Sequence, residues 1–324
     1  MTCKSSSKKY AVGVDLGGTK ICTAVIDSDG RVITETTIPT NAAEGPERVI
    51  GRIKGTIRHV IRQSGVYFDM IAGIGIGSPG PLNWKTGEVL SSPNLPGWDR
   101  IPLRKIIQQS FDLPTYLEND ANAAAIGEHR YGAGSGVDNM VYITISTGIG
   151  GGIICGGRIY RGETGMAGEV GHMIVNPGGP ECKCGNKGCL EAFSSGTAIA
   201  SRMRERLASK QYGEWRKDCL SAKDVFEAAE KGVEAARKVV QEAIYYLGVG
   251  VLNLTHLFNP RIIVIGGGVA NGSPFVVESI RQFVREKAFR GVAEAVDIVP
   301  AGLGALAGVI GAATLPFVRE DENR

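Results

Sequence analysis

An apolar strand, a glycine turn and a hairpin occur in that order twice in this 324-residue chain, about 130 residues apart. The first copy runs from Tyr10 to Asp15 into Gly17-Gly18, with Lys20 to Asp27 and Arg31 to Thr36 flanking Ser28-Asp29-Gly30. The second runs from Asn139 to Ser146 into Thr147-Gly148-Ile149-Gly150-Gly151-Gly152, then through Ile153-Ile154-Cys155, Gly156-Gly157 and Arg158-Ile159-Tyr160. Such a period is too long for a solenoid. It fits a duplicated α/β domain with a cleft between the copies, or chance likeness between glycine-rich strands, because each motif is weak singly.

Between the copies lies alternating α/β material. Glu47 to Gln63 carries Val49, Ile50, Ile53, Ile57, Val60 and Ile61 at helical spacing. Ile71 to Gly77 reads as a buried strand that lands on Ser78-Pro79-Gly80-Pro81, and Pro114 to Leu117 as a short strand before Glu118-Asn119-Asp120. The alanine-rich stretch from Ala121 to Arg130 is helical by propensity. Ala235 to Phe258 is the longest helix expected, and Ile262 to Ile265 a strand entering Gly266-Gly267-Gly268. These elements divide the chain into an N-terminal α/β domain over 1–120 and a C-terminal α/β domain over 121–304. A last helix, about 305–324, crosses back to the first domain.

Forty-six glycines amount to about 14% of the chain, twice the usual ~7%. They follow apolar β-branched runs, where tight turns and close backbone approach to a ligand need no Cβ. Net charge is +3, and the basic cluster Arg202, Arg204 and Arg206 alternates with Met203 and Glu205, so it reads as a solvated helix face. Nucleic-acid binding is not expected. No run of ~18 apolar residues is present for a membrane span. The polar start MTCKSSSKKY and the odd count of seven cysteines suit a reducing cytoplasm.

Three segments carry phosphate-binding chemistry. In Asp15-Leu16-Gly17-Gly18-Thr19-Lys20, backbone N–H groups and the Thr19 hydroxyl can wrap phosphate oxygens, and Asp15 can hold Mg²⁺ directly or through water. A plain hairpin turn is the alternative. Thr147, Gly148 and Gly150 form the matching loop, and Gly267-Gly268 can let a base or ribose lie against bare backbone. Asp120, opening a helix, can accept a hydroxyl proton while Asn119 bonds a neighbouring hydroxyl, and Asp120 can equally cap the helix.

The sharpest local signal is His172 followed by Cys182, Cys184 and Cys189, one imidazole and three thiols within 18 residues. That S₃N set suits a closed, structural Zn²⁺ site, with reduced buried cysteines as the alternative. A metal on one His172 nitrogen leaves the other free to face a ligand, with Glu169 and Glu191 close by in sequence. Cys3, Cys22, Cys155 and Cys219 are dispersed and read as packing residues.

These segments, together with Ser91-Ser92-Pro93-Asn94-Leu95-Pro96-Gly97-Trp98 and Glu118 to Ala125, resemble the ROK family and, within it, the bacterial glucokinases, from about Tyr10 to about Phe317. The resemblance implies an actin-like ATPase (ribonuclease H-like) fold with an interdomain active cleft. It implies that Asp120 is the general base for transfer of the ATP γ-phosphoryl to the 6-hydroxyl of glucose. It implies that Asn119, Glu169, His172 and Glu191 bind sugar hydroxyls, joined by Asn94 and the Gly80 backbone. Asp15, Gly17, Gly18, Thr19, Lys20, Thr147, Gly148, Gly150, Gly267 and Gly268 are then the ATP residues, Mg²⁺ accompanies ATP, and Zn²⁺ stays structural. A homodimer or tetramer is implied as well. Fructose, N-acetylglucosamine and N-acetylmannosamine are the alternative substrates. A sugar-responsive repressor of the same family is a further reading, disfavoured by the nine residues before Tyr10, too few for a helix-turn-helix.

Overall fold

Two five-stranded sheets share one strand order. A computed structural model describes residues 8–92, 94–208 and 220–322, with side chains as far as 318. The chain divides into two compact units. Of the described residues, the first unit holds those up to Gly136, Ile159–Ala167 and those from Ala305 onward; the second holds Val137–Arg158 and Gly168–Gly304.

In the first unit, β1 (Tyr10–Leu16), β2 (Lys20–Asp27) and β3 (Val32–Pro39) form an antiparallel meander. Then come helix α1 (Pro46–Ser64) and β4 (Ile71–Ser78), which pairs parallel to β1. A small sheet of β5 (Leu82–Asn83), β6 (Glu88–Ser91) and β7 (Asp99–Ile101) precedes α2 (Leu103–Phe111). Next, β8 (Thr115–Asn119) pairs parallel to β4 and leads straight into α3 (Asp120–Tyr131). The sheet order is β3-β2-β1-β4-β8.

Alternation along β1 explains why this sheet is covered on both faces. Val12, Val14 and Leu16 share a core with Val49, Ile53, Ile57 and Val60 of α1, the face read from the helical spacing. Pro46 at the first turn and Gly65 at φ +67° bound that helix. On β3 every second residue is exposed, as expected of a sheet edge.

The second unit repeats the order as β11-β10-β9-β12-β13. Here β9 is Met140–Ile145, β10 Ile149–Cys155, β11 Arg158–Ile159, β12 Ile262–Gly266 and β13 Asp297–Pro300. Its helices are α4 (Leu190–Ser194), α5 (Gly196–Ala208), α6 (Ala222–Glu230), α7 (Glu234–Phe258), α8 (Gly268–Gly272), α9 (Pro274–Lys287) and α10 (Arg290–Ala295). Again an antiparallel β9–β10 pair joins a parallel β9–β12–β13 run. The repeated pairing pattern speaks for duplication over chance likeness.

Helix α11 (Ala307–Glu322) packs on β1, β4 and α3 of the first unit. Its backbone rests directly on the sheet: a Cβ at Gly75 would overlap the Ala312 carbonyl, and one at Gly311 the Ala123 carbonyl. These close approaches bind α3 to the first unit, so the expected boundary at 120/121 moves past α3, to Gly136/Val137. In the arginine cluster, Arg204 is exposed, as expected of a solvated helix face, while Arg202 and Arg206 are half-buried. Arg202 ion-pairs with Glu242 at 2.7 Å and lies over the Phe193 ring, while Arg204 donates to the Leu220 carbonyl at 2.8 Å. Among the described residues, no helix is long and apolar enough to cross a membrane.

Candidate functional site

Parallel pairing sets the first unit's site residues in line. Asp15 of β1 stands opposite Gly77 of β4, which stands opposite Glu118 of β8; Ser78 and Asn119 follow one step on. The carboxyl ends of three adjacent strands thus present Asp15, the Gly80 backbone, Asn119 and Asp120 along one edge, where open α/β sheets bind ligands. A Cβ at Gly77 would lie 3.6 Å from the Asp120 Cα, so the small residue lets α3 begin directly over β4. Gly80 lies beside the Asn119 amide.

Helix capping falls to Asn119 and not to Asp120. Asn119 Oδ1 accepts the N–H groups of Ala121 and Asn122 at 3.0 and 3.1 Å, which satisfies the helix start. Asp120 is left as the first helical residue, its Oδ1 accepting the Ala121 N–H at 2.8 Å. Burial raises the Asp120 carboxyl above the ordinary range, against the pull of the Ala121 and Asp120 backbone N–H groups. Burial, reinforced by Asp120 and opposed by Lys20, pushes Asp15 from 3.8 to about 6. A carboxylate with heightened proton affinity is what a general base needs near neutrality.

The β1–β2 turn is held from behind by a residue the sequence did not single out. The Thr40 hydroxyl donates to the Gly17 carbonyl at 2.6 Å, and its N–H to the Thr19 carbonyl at 2.9 Å. Gly17 spends its own N–H on the Lys20 carbonyl, which takes that group out of the phosphate-binding set expected of the turn. Gly18 also lies against Asn94: a Cβ there would stand 2.9 Å from the Asn94 carbonyl.

The second unit builds the matching turn at Ser146-Thr147-Gly148. Ser146 N–H donates to the Gly148 carbonyl at 2.9 Å, and the Gly196 N–H to the Ser146 carbonyl at 2.8 Å. The Thr197 hydroxyl donates to the Thr147 carbonyl, fixing the turn to the start of α5. The loop is shorter than its glycines suggested. Gly150, Gly151 and Gly152 belong to β10, with Gly150 opposite Thr144, and glycine is needed at 151 because Val170 and the Tyr142 carbonyl crowd it.

Gly267, at φ +90°, lies against the Ile145 backbone, and Gly268 begins α8. A cavity of about 620 Å³ opens beside these segments. Thr147, Thr197, Arg204, Phe226, Glu227 and Gly268 are among the residues that line it. Its volume suits a small-molecule ligand. Helix α6, which supplies part of the wall, carries no motif by which sequence could have placed it here.

The thiol cluster forms as read. Ligand atoms of His172, Cys182, Cys184 and Cys189 all lie within 4.8 Å of one another. Cys182 Sγ stands 3.6 Å from His172 Nδ1, and Cys184 Sγ 3.6 Å from Cys189 Sγ. Thiolates ~2.3 Å from one tetrahedral ion stand about 3.8 Å apart, so the four residues fit zinc. Gly185 and Gly188, at φ +92° and +78°, make the turns that close the loop. Burial pushes the Cys189 thiol up to about 12 and raises Cys182, while the Asn186 N–H draws Cys184 down to about 7. With Nδ1 turned to the sulfurs, His172 keeps Nε2 for another partner.

The residues around the cluster converge on Ile149. A Cβ at Gly171 would overlap the Ile149 carbonyl, which seats the Val170–His172 turn, and Glu169 occupies the position just before that turn. Glu191 Oε2 accepts the Ile149 N–H at 2.9 Å. Among the cysteines read as packing residues, Cys22 is buried and Cys155 exposed. Cys3, Cys219 and Pro93 lie outside the described residues.

The ROK family model matches residues 11–317. A glucokinase of Halalkalibacterium halodurans is 38% identical over 98% of this chain and 97% of its own length. A xylose repressor of Caldicellulosiruptor bescii is 34% identical over 86% of this chain and 70% of its own length. Among solved structures, the ROK hexokinase of Thermus thermophilus superposes with a TM-score of 0.82 at 38% identity, covering 97% of this chain and 99% of that one. A Streptomyces griseus glucokinase solved with glucose and AMPPNP gives 0.81 at 35%, covering 94% and 98%.

Proposed function

The chain belongs to the ROK family, with its two-domain actin-like ATPase fold, and on that premise we propose that it transfers the γ-phosphoryl of ATP to the 6-hydroxyl of glucose. The observation that carries this reading is the alignment of Asp15, Asn119 and Asp120 at one strand edge, with the Asp120 carboxyl raised by burial.

Asp120 takes the proton of the 6-hydroxyl as that oxygen attacks the γ-phosphorus; ADP leaves with the electrons of the broken P–O bond. Phosphoryl transfer asks a protein mainly for positioning and charge stabilisation. Asn119, Asn94 and the Gly80 backbone are the sugar ligands of the first unit. Glu169, His172 through Nε2, and Glu191 through Oε1 are those of the second. Orienting the hydroxyl in this way makes attack effectively unimolecular, worth several kcal/mol of barrier.

The donors at Gly18, Thr19, Thr147 and Gly148 receive phosphate oxygens. The cavity beside Thr147 and Gly268 takes the nucleoside, and the 5′-triphosphate runs out along the turn. Asp15 would hold Mg²⁺, directly or through water, and the ion would supply charge neutralisation for the phosphates. His172, Cys182, Cys184 and Cys189 would hold Zn²⁺ in a closed, structural site, which would fix the imidazole and the local turns. Cys22, Cys155, Cys182, Cys184 and Cys189 form no disulfide, in keeping with work in the cytoplasm.

Initial rates across glucose, fructose, mannose, N-acetylglucosamine and N-acetylmannosamine, with ATP and Mg²⁺, test the substrate. Glucose is expected to give the highest kcat/KM. A wide margin for an acylated amino sugar would overturn that assignment, and sugar-dependent DNA binding without ADP formation would favour a repressor.

A further inference from the structure

Glu118 and Arg161 form a buried ion pair that the proposed chemistry leaves unused. Arg161 Nε donates to Glu118 Oε2 at 2.8 Å, and the two side chains are 11% and 2% exposed. The other oxygen, Oε1, accepts the Asn119 N–H and the Asn122 side-chain amide, both at 3.2 Å. One carboxylate therefore ties the last residue of β8 to the first turn of α3. Asp120 sits between the two tied points.

Arg161 itself is held by more than charge. Its Cζ lies 4.6 Å from the centroid of the Trp84 ring, and Gly165 packs so closely on the same indole that a Cβ would stand 2.8 Å from Trp84 Cδ1. The segment Ile159–Ala167 is thus docked on the β5–β6 turn, with Arg161 pointing at Glu118. Removing the guanidinium would leave a buried carboxylate without its counter-charge. The carboxylate would have to turn toward water, and Asn119 and Asn122 would lose their acceptor together.

We propose that Arg161 is a positioning residue for phosphoryl transfer: it anchors Glu118, and Glu118 fixes the Asn119–Asp120 turn. This rests on the reading of Asp120 as the base. The spacing of 43 residues between the partners, in a loop with no motif of its own, hides the pair from sequence reading.

The test compares Arg161→Met, Arg161→Lys, Glu118→Gln and the double variant R161M/E118Q, each checked for folding by circular dichroism. Arg161→Met is expected to lower kcat with glucose about 10²-fold, the cost of an ~1 Å misplacement, with KM for ATP unchanged. Arg161→Lys should recover part of the loss, because lysine keeps the charge but not the planar fork. Glu118→Gln should also lower kcat, and the double variant should be no slower than the slower single one. A folded Arg161→Met with normal kcat overturns the proposal, as do losses that multiply in the double variant. Should Arg161→Met fail to fold, normal kcat in both Arg161→Lys and Glu118→Gln overturns it instead. Asp120→Asn run alongside separates the premises. An active Asp120→Asn sinks the base assignment, whereas an inactive one beside an active Arg161→Met sinks only the positioning role.

Discussion

Glu191 Oε2 accepts the Ile149 N–H at 2.9 Å, joining the end of the thiol loop to the second glycine turn across 42 residues of chain. The contact leaves no room for a side chain at 148: a Cβ there would lie 2.5 Å from the same oxygen. In the proposed function a sugar ligand and a phosphate-binding turn thereby share one hydrogen bond.

Gly148→Ala should therefore damage both substrates at once. Displacing Glu191 is expected to cost ~1–3 kcal/mol of local fit and to raise KM for ATP and for glucose together. Steady-state kinetics with each substrate varied in turn read this directly. A change confined to ATP would show that Glu191 does not link the two.

The thiol cluster predicts a metal dependence that binding can read without turnover. Cys184→Ala should lose one equivalent of zinc in elemental analysis and lower the melting temperature, since structural zinc contributes folding free energy outright. Glucose affinity by calorimetry should fall with it, because His172 is no longer fixed. A wild-type protein purified without zinc would remove the basis of this expectation.

Asp15 gives a pH signature to the protein without nucleotide or Mg²⁺. Its carboxyl rises from 3.8 to about 6 on folding, so the folded state holds this proton more tightly than the unfolded one. The contribution to stability is full below the unfolded value and is lost as pH climbs through about 6, worth at most about 3 kcal/mol. Asp15→Asn should accordingly raise the melting temperature at pH 7 relative to wild type and flatten its change between pH 4 and 6, while phosphorylation is lost. Parallel melting curves for the two proteins over that range would contradict it.

What the sequence disclosed was what lies close together in it. His172, Cys182, Cys184 and Cys189 were legible because their spacing alone brings four candidate ligand atoms within 4.8 Å of one another. The duplicated strands were legible from periodicity, and the parallel pairing of β1, β4 and β8 then aligns Asp15 with Asn119–Asp120. Glycine was the ambiguous letter. Gly17 and Gly148 sit in turns, but Gly150–Gly152 run on into β10, because glycine answers to close packing as well as to positive φ. Long-range partners left no local trace: Thr40 behind Gly17, Arg161 on Glu118, and Glu242 under the arginines of α5 each depend on tertiary packing.

The proposed phosphoryl transfer stands or falls on Asp120, and Asp120→Asn measured two ways tests it most directly. Calorimetry should find glucose bound with nearly wild-type affinity, since Asn119 and the backbone still present their groups. Rapid-quench transfer from radiolabelled ATP to glucose should fall by about 10²–10⁴-fold, the usual contribution of a positioned base. Transfer at close to the wild-type rate, with glucose still bound, would contradict the mechanism.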